Sequence, residues 1–456
     1  MIFKAFHNEA SGCLSYLVGC GRHGVAAVVD PVRGDVDQYV TTAAARNLTI
    51  THVIDTHIHA DHVSGNRELA ERTGALLCLH AAADIRFPHT ALEAGQRLSF
   101  GSVELRVLHT PGHTPESMCL VVTDTARGPE PWFALTGDTL FVGDVGRPDF
   151  GGETAAADLH RSLFERVLRL DDAVEVYPAH GAGSACGRAM SGKVGSTIGF
   201  ERRFNVALRH AEREAFVRAL MEGLPPRPPT MDRIIARNRG IIVPTRSTPA
   251  RLEPRDLGPR LAQGHALVDL RDPPTFGVGH IAGSLNVWIE SPQFAERVGR
   301  FATPGRPLIL LGETEADVAR ACAALARVGL DEVAGYLIGT GAVPASGLPV
   351  AELPNISAVE LGRRLGAGRE LLVLDVREPF EWEEGHVPGA LHIPMGEVAT
   401  RLGEIPRERP VALVCRGGPR SSTVGSLLLG QGFSRLLNVW GGMGAWMEAG
   451  LPVSQD

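Results

Sequence analysis

A repeated motif in the second half of the chain places the strongest limit on its fold. HALVDLRDPPTFGVGHIAGSLNVW (265–288) is matched by LLVLDVREPFEWEEGHVPGALHIP (371–394), and the shared aspartate and histidine recur at an offset of 106 positions. Each copy begins with an apolar run that ends in Asp-x-Arg, turns at a Gly-His pair, and is followed by another strand and a helix. A period of this length predicts two tandem α/β domains rather than a solenoid.

The rest of the chain predicts one further domain. Residues 1 to about 200 alternate short β-branched runs with glycine-rich turns and helical stretches, which favours a layered α/β domain. Residues 223–254 concentrate proline and arginine, which is typical of a domain boundary, although an extended arm packed on a domain is the alternative for part of this segment. We therefore predict three domains, at 1–245, 246–352 and 353–456.

The composition argues against several classes of protein. A net charge of −7 and a charged fraction of 21% favour neither nucleic acid nor an anionic membrane as a partner. No apolar run has the length of a membrane span, and the polar residues near the N-terminus do not fit a signal peptide, so we expect a cytoplasmic enzyme. The seven cysteines are scattered and include no C-x-x-C pair, so any cysteine that matters is expected to act singly, as a thiolate.

Potential metal ligands are concentrated in THIHADH, directly after the predicted strand THVID, and recur at later strand ends. The candidates are His57, His59, Asp61, His62, His113, Asp138 and His180. Imidazole and carboxylate ligands suit zinc, iron or manganese. The candidates can hold one ion on His57, His59, His113 and Asp138, and a second on Asp61, His62 and His180 with Asp138 bridging. Two ions would favour hydrolysis, and one ion on two histidines and a carboxylate would favour ferrous oxygen chemistry; the spacing does not decide.

The motifs THIHADH, PGHTPES, TGDTLF and PAHG, in this order, resemble the glyoxalase II-like branch of the metallo-β-lactamase fold over residues 1–215. GDTLFVGDVGRPDF (137–150) is similar to the persulfide dioxygenases. The resemblance implies an αββα sandwich with one Fe(II) on His57, His113 and Asp138. The implied reaction converts a low-molecular-weight persulfide, O2 and water to a thiol and sulfite.

The same resemblance assigns roles to the remaining candidates. Four residues would surround the ion without binding it, or would be remnants of a second ion site: His59, Asp61, His62 and His180. Arg147 is a candidate for contact with the substrate or with a metal ligand. Cys186, six residues after His180, is expected to be a buried structural cysteine, with a redox-regulatory role as the alternative.

A second candidate site lies in the second repeat, where an apolar strand ends at Cys415. Ser421 or Ser422 is expected to cap the helix that follows the loop. The backbone N–H groups of the loop and the helix N-terminus would stabilise an anionic sulfur, so Cys415 is expected to be nucleophilic. The segment 355–456 resembles a rhodanese domain, with the loop length suited to sulfane sulfur. The resemblance implies that Cys415 carries a persulfide, that Arg416 and Arg420 steer sulfite or thiosulfate, and that three further residues bind the substrate: Gly417, Gly418 and Ser421.

The first repeat departs from this pattern. Alignment places Gly312 where Cys415 stands and Asp317 where Arg420 stands, and LGETEADVAR is acidic where the other loop is basic. Cys322 lies in the following predicted helix, on a packing face, and is no substitute for the missing cysteine. This repeat is predicted to be an inactive pseudo-rhodanese that serves as a spacer or docking surface.

The whole arrangement resembles the bacterial persulfide dioxygenase–rhodanese fusions of sulfide detoxification. Sulfite released at the first site would accept the Cys415 persulfide sulfur and give thiosulfate, and tethering would raise its local concentration. The resemblance also implies a homodimer or homotetramer. The sequence does not distinguish glutathione, coenzyme A or bacillithiol as the carrier thiol. Two alternatives are a thioester hydrolase with two zinc ions per chain and a rhodanese pair that binds a sulfur carrier without catalysis.

Overall fold

The computed structural model describes residues 1–8, 11–148, 150–181, 190–222, 224, 227–228, 230–242, 248–303, 305–368 and 370–455. The chain forms two compact units, Met1–Pro244 with Ala326–Gly329, and Thr245–Leu325 with Leu330–Asp456. No helix in these described ranges is long and apolar enough to cross a membrane. The domain boundaries proposed at 245/246 and 352/353 stay predictions.

Two six-stranded sheets form the centre of the first unit. The first sheet contains, in sequential order, β1 (Ile2–Asn8), β2 (Cys13–Cys20), β3 (Val25–Val29), β4 (Thr49–Ile54), β5 (Leu76–His80) and β6 (Thr90–Leu92). The second sheet has the spatial order β12-β11-β10-β9-β8-β7. Its strands are β7 (Arg97–Phe100), β8 (Val103–His109), β9 (Met118–Asp124), β10 (Phe133–Gly137), β11 (Glu175–Pro178) and β12 (Ser196–Thr197).

The first unit also contains six α-helices within its described residues. They are α1 (Val36–Ala44), α2 (Asn66–Thr73), α3 (Gly152–Glu165), α4 (Ile198–Phe204), α5 (Arg213–Met221) and α6 (Thr230–Asn238). One apolar cluster joins β2 to β8 and β9, for example Leu14 with Leu105 and Leu120. Separate clusters pack α1 and α2 on the first sheet and α3 and α5 on the second. The unit is therefore the αββα sandwich that the sequence predicts.

The segment that the sequence predicts as a boundary contains part of the first unit. Within residues 223–254, the run Thr230–Asn238 is helix α6, in which Met231 and Ile234 are buried. The alternative of an extended arm is therefore wrong for this part, because the apolar side chains of α6 have a helical spacing that proline-rich neighbours obscure.

The second unit contains one parallel sheet from each repeat. The first repeat comprises α7 (Leu257–Ala262), β13 (Ala266–Asp269), α8 (Pro273–Val278), β14 (His280–Ile281), β15 (Leu285–Asn286), α9 (Phe294–Phe301), β16 (Leu308–Gly312), α10 (Glu315–Arg327), β17 (Val333–Ile338), α11 (Ala342–Ala345) and β18 (Val350–Ala351). The second comprises β19 (Asn355–Ser357), α12 (Ala358–Gly366), β20 (Leu372–Asp375), α13 (Pro379–Glu383), β21 (Leu391–His392), β22 (Val411–Val414), α14 (Pro419–Gly430), β23 (Leu436–Trp440) and α15 (Gly442–Glu448). The main sheets have the orders β15-β13-β16-β17 and β19-β23-β22-β20-β21, and β14 pairs with β18.

The repeated motif has the same structural role in both copies. Arg271 donates to Asp269 at 2.6 Å, and Arg377 donates to Asp375 at 2.7 Å. Each of these arginines also donates to a main-chain carbonyl in the turn before the repeated histidine. All four side chains are buried, and a fully hydrogen-bonded ion pair is what a buried charge requires. The Asp-x-Arg motif therefore holds a turn against the end of a strand.

The two repeats are joined by a buried polar contact. Ser422 of α14 donates to Oδ1 of Asn286 at 2.6 Å, and the backbone N–H of Asn286 donates to Ser426 at 3.0 Å. Asn286 also donates to the carbonyl oxygens of Asp269 and Arg271. Because every partner is buried, this network fixes α14 of the second repeat against β15 of the first.

Candidate functional site

Three of the predicted metal ligands converge beyond the ends of three strands. His57 follows β4, His113 follows β8 and Asp138 follows β10. Oδ2 of Asp138 lies 3.7 Å from Nε2 of His57 and 3.6 Å from Nε2 of His113. All three side chains are buried, and one potential ligand atom from each lies within 4.8 Å of the others.

The polar atoms at this point fit a metal ion. Nε2 of His57 and Oδ2 of Asp138 are buried and accept no hydrogen bond from the described residues. Burying a carboxylate oxygen without a partner is costly, so such atoms are rare in folded proteins unless a ligand meets them. Two such atoms directed at one point, next to the imidazole of His113, form a site that a cation would satisfy.

Neighbouring groups orient both imidazoles. The Thr56 hydroxyl donates to Asp30 at 3.0 Å and lies 3.0 Å from Nδ1 of His57, so it accepts the proton of Nδ1 and leaves a lone pair on Nε2. Nδ1 of His113 lies 2.8 Å from the carbonyl oxygen of Arg147, to which it donates. Hydrogen bonds of this kind fix the tautomer of a metal-binding histidine and strengthen its bond to the ion.

The ionisation states also suit a metal site. Burial, assisted by the neighbouring His59, holds the pKa of His57 well below its ordinary value, so its ring is neutral. Burial alone would raise the pKa of Asp138, but His180 and His57 outweigh this effect and hold the pKa low, so the side chain is a carboxylate. Neutral imidazole and ionised carboxylate are the forms that bind metals.

A second group of potential ligands lies beside the first. Nδ1 of His180 lies 2.7 Å from Oδ1 of Asp138, and Nε2 of His180 lies 2.9 Å from Oδ2 of Asp61. Sγ of Cys13 lies 3.4 Å from Asp61 and 3.5 Å from Nδ1 of His62. A second set of ligand atoms within 4.8 Å of one another therefore comes from Cys13, Asp61, His62 and His180. Sequence reasoning missed Cys13, since only the contact of β2 with the distant loop reveals its position.

His59 belongs to neither of these two groups. Its Nε2 lies 3.3 Å from Oδ1 of Asp30. The ring centroids of His59 and His57 are 4.2 Å apart. Asp30 therefore contacts both His59 and, through Thr56, His57. The roles of the four surrounding residues His59, Asp61, His62 and His180 stay predictions.

The loop that carries these histidines is held by two residues that sequence reasoning missed. Asn238 of α6 donates at 2.8 Å to the carbonyl oxygens of both His59 and His62, and it accepts from the backbone N–H of Ser64 at 3.0 Å. Glu116 accepts from the backbone N–H of Ile58 at 2.9 Å. The loop backbone therefore has its hydrogen bonds satisfied by distant side chains, for which no local sequence signal exists.

Arg147 contributes through its backbone. Its side chain is buried, and its carbonyl is brought to His113 by the preceding Gly146, where a Cβ atom would lie only 1.9 Å from the carbonyl oxygen of Asp138. The backbone of Arg147 therefore contacts His113, and the roles predicted for Arg147 stay predictions. Cys186 lies outside the described residues.

The Cys415 loop donates a hydrogen bond to the sulfur. The Gly418 N–H donates to Sγ at 3.0 Å, and the Ser421 hydroxyl lies 3.4 Å from Sγ but donates to Oδ1 of Asn438 at 2.7 Å. The prediction that Ser421 or Ser422 caps the helix is wrong: α14 begins at Pro419 with Gly418 at the N-cap. Because the N-cap lies three or four residues earlier than expected, both hydroxyls lie in the first turn of the helix, where they donate to Asn438 and Asn286 instead.

The two predicted arginines of this loop have different environments. Arg420 forms a two-pronged ion pair with Glu381, with both N–O distances 2.6 Å. Burial alone would lower the pKa of Arg420, but these hydrogen bonds outweigh that effect and raise it. Arg416 and Gly417 are exposed. Glu381 was missed, although it follows the Asp-x-Arg motif at the start of α13.

The first repeat has no cysteine at the equivalent strand end. Strand β16 ends at Gly312, and the loop after it is closed by Thr314 and Asp317, which exchange hydrogen bonds in a capping arrangement at the start of α10. The Asp317 carboxylate is therefore already hydrogen-bonded at the start of α10. Cys322 is half-buried within α10, and burial raises the pKa of its thiol.

The chain has two parts. The first is an αββα sandwich with potential metal ligands at its strand ends. The second contains two parallel sheets, one of which carries a cysteine loop. The profile described as metallo-β-lactamase superfamily matches residues 9–180, and that of the rhodanese-like domain matches 253–340 and 357–449. The chain belongs to the metallo-β-lactamase superfamily and continues into two rhodanese-like domains. The fused architecture predicted from the sequence is thus confirmed.

Three relatives match different shares of this chain. A crystal structure of a metallo-β-lactamase from Staphylococcus aureus subsp. aureus COL is 30% identical, has a TM-score of 0.66, and covers 74% of this chain and 98% of its own. A probable metallo-hydrolase of Burkholderia pseudomallei (strain 1710b) is 32% identical over 248 residues, which is 47% of this chain and 83% of the relative. A sulfurtransferase of Allochromatium vinosum is 40% identical over 99 residues, which is 22% of this chain and 92% of the relative.

Proposed function

We propose that the chain is a non-haem Fe(II) persulfide dioxygenase joined to a rhodanese sulfurtransferase. The first unit would oxidise the outer sulfur of a low-molecular-weight thiol persulfide with O2 and water, giving the thiol and sulfite. The second unit would transfer a sulfur atom from a Cys415 persulfide to sulfite, giving thiosulfate. The observation that carries the proposal is the buried His57–His113–Asp138 group, in which two ligand atoms lack a hydrogen-bond partner among the described residues, in the same chain as a Cys415 sulfur that accepts a hydrogen bond from the Gly418 N–H.

The three residues fit the two-histidine, one-carboxylate arrangement typical of ferrous oxygenases. Fe(II), when bound, would supply the redox chemistry that a reaction with O2 requires. The chain's own contribution is orientation: Thr56 and the Arg147 carbonyl fix the imidazoles, and His180 engages Oδ1 of Asp138 so that Oδ2 is left for the ion.

The transfer step at Cys415 needs no external oxidant. The lone pair of sulfite attacks the outer sulfur of the Cys415 persulfide, a new S–S bond forms in thiosulfate, and the bond to Sγ breaks. Cys415 leaves as a thiolate with the electron pair, which the Gly418 N–H and the positive end of α14 would stabilise.

The test is metal analysis of the anaerobically purified full chain, combined with oxygen consumption on glutathione persulfide. We expect one iron per chain and oxygen uptake, with thiosulfate as the product when persulfide is in excess. Cys415→Ser should retain oxygen uptake and accumulate sulfite. Two zinc ions per chain without oxygen uptake would overturn the proposal, and loss of sulfite production in Cys415→Ser would overturn the division of labour.

A second candidate is a thioester hydrolase with two zinc ions per chain. It is favoured by the Cys13–Asp61–His62–His180 group, which adjoins the first group through the His180–Asp138 contact. The similarity to a protein described as a probable metallo-hydrolase also supports it. This candidate predicts hydrolysis of S-lactoylglutathione without oxygen, by protein that holds two zinc ions per chain.

A further inference from the structure

The cavity at Cys415 is built from both repeats. It has a volume of about 610 Å³ and is lined on one side by the Cys415 loop with Glu381 and on the other by Gln293 and α9 of the first repeat. Arg297 and Arg300 of α9 line this cavity together with Arg416 and Arg420. The first repeat, which has Gly312 in place of the loop cysteine, therefore supplies part of the wall around Cys415 of the second repeat.

The arginines that line the cavity differ in whether a carboxylate already neutralises their charge. Both terminal nitrogens of Arg420 are engaged by Glu381 at 2.6 Å. Arg297 is only 7% exposed; its Nη2 donates to the carbonyl oxygen of Pro292 at 3.1 Å, and its Nη1 is buried without a hydrogen-bond partner among the described residues. No carboxylate in the described ranges forms an ion pair with it within 4.0 Å. Arg297 thus presents a desolvated charge with an unused donor.

The charge of Arg297 is present at neutral pH. Burial lowers the pKa of Arg297 to about 10, against an opposing effect of the Cys415 charge, so the guanidinium stays protonated. An unpaired buried charge destabilises the fold unless a ligand meets it, and a guanidinium is well suited to bind an oxyanion through two oxygens. Together, the cavity, the unused donor and the nearby sulfur describe an anion-binding position.

We propose that Arg297, a residue of the repeat that lacks a cysteine at the loop position, binds the oxyanion group of the sulfur donor or acceptor at Cys415. The inference rests on the proposed sulfurtransferase function for its substrates, sulfite and thiosulfate. In the donor reaction, the Cys415 thiolate attacks the outer sulfur of thiosulfate, the S–S bond breaks, and sulfite leaves with the electron pair. Arg297 would hold the sulfonate oxygens in this step and in its reverse, while Arg420, paired with Glu381, keeps the wall of the cavity in place.

The test compares the alkylation of Cys415 by anionic iodoacetate and by neutral iodoacetamide, measured by mass spectrometry on the Cys415 peptide of the full chain. In Arg297→Met, we expect the iodoacetate rate relative to iodoacetamide to fall about tenfold, which is the loss expected for one charge-assisted hydrogen bond. The KM for thiosulfate in thiocyanate formation with cyanide should rise by a similar factor, with a smaller change in kcat. Arg320→Gln is the matched control, because Arg320 lies on α10 of the same repeat, is half-exposed, and does not line the cavity.

An unchanged alkylation ratio in Arg297→Met would overturn the inference. Because alkylation requires no sulfurtransferase activity, a wild-type chain that forms no thiocyanate but shows the arginine-dependent ratio would overturn the proposed function alone. Arg297→Met should unfold at the same or a higher temperature, since it removes an unpaired buried charge. If Arg297→Met does not fold, Arg297→Gln is measured in the same way, and an unchanged ratio there also overturns the inference.

Discussion

Nδ1 of His113 lies 2.8 Å from the carbonyl oxygen of Arg147, and Gly146 is the residue that lets this carbonyl approach. A Cβ at position 146 would lie 1.9 Å from the carbonyl oxygen of Asp138, so the loop must move if a side chain is introduced. We expect Gly146→Ala to weaken metal binding at least about tenfold, which is the usual effect of losing such a support. The measurement is metal content after dialysis against a chelator series. Gly128→Ala is the control, because a Cβ there meets no atom within 4 Å.

Asn238 is far in sequence from His59 and His62, whose loop it holds. A substitution of Asn238 provides a second test of how this loop is supported. Asn238→Ala should lower the free energy of unfolding by about 2 kcal/mol, because it leaves the carbonyl oxygens of His59 and His62 without their donor. It should also weaken metal retention. Asn238→Asp keeps an acceptor for the Ser64 N–H but loses both donors, so it should be as damaging. Urea unfolding and metal content together provide the measurement, and wild-type values in both variants would contradict the expected role.

His80 predicts a pH dependence of stability. Burial, with a smaller contribution from His109, lowers the pKa of His80 to about 4, and its Nδ1 accepts from the backbone N–H of Ala82 at 3.2 Å. Because the unfolded chain binds a proton near pH 6.5 and the folded chain does not, stability is full above pH 6.5 and falls as the pH drops towards 4. We expect a loss of about 1–2 kcal/mol from this residue between pH 7 and pH 5. His80→Asn, which retains an acceptor, should show a smaller loss in denaturant unfolding at the two pH values.

The Ser422–Asn286 contact predicts that the two repeats unfold together. Asn286→Ala leaves the Ser422 hydroxyl and the carbonyl oxygen of Arg271 without this partner in a buried place, which should cost about 2 kcal/mol. Calorimetry of the full chain should show the transition of the rhodanese-like pair shifted as one peak. Two separate transitions, with only the first repeat shifted, would show that the repeats are independent.

Much of the fold and part of the site could be predicted because the signals are local. Strand ends followed by His57, His113 and Asp138 are visible in the sequence, and the structure brings these residues together. Cys13, Asn238 and Arg297 could not be found, because each acts through a contact with a residue far away in the chain, and a single sequence contains no record of such pairs. The start of α14 was misplaced because serine is a common N-cap, whereas here the rigid φ of Pro419 after Gly418 begins the helix.

The ion pairs Asp269–Arg271 and Asp375–Arg377 are alike although only one repeat has kept a cysteine loop. The Asp-x-Arg ion pair is therefore a feature of the scaffold in both copies. It does not indicate whether a copy has a reactive cysteine. A genome survey that counts sulfurtransferases by the Asp-x-Arg motif would score this chain twice. Counting the copies that have a cysteine at the position of Cys415, where the first repeat has Gly312, would give the number of reactive centres.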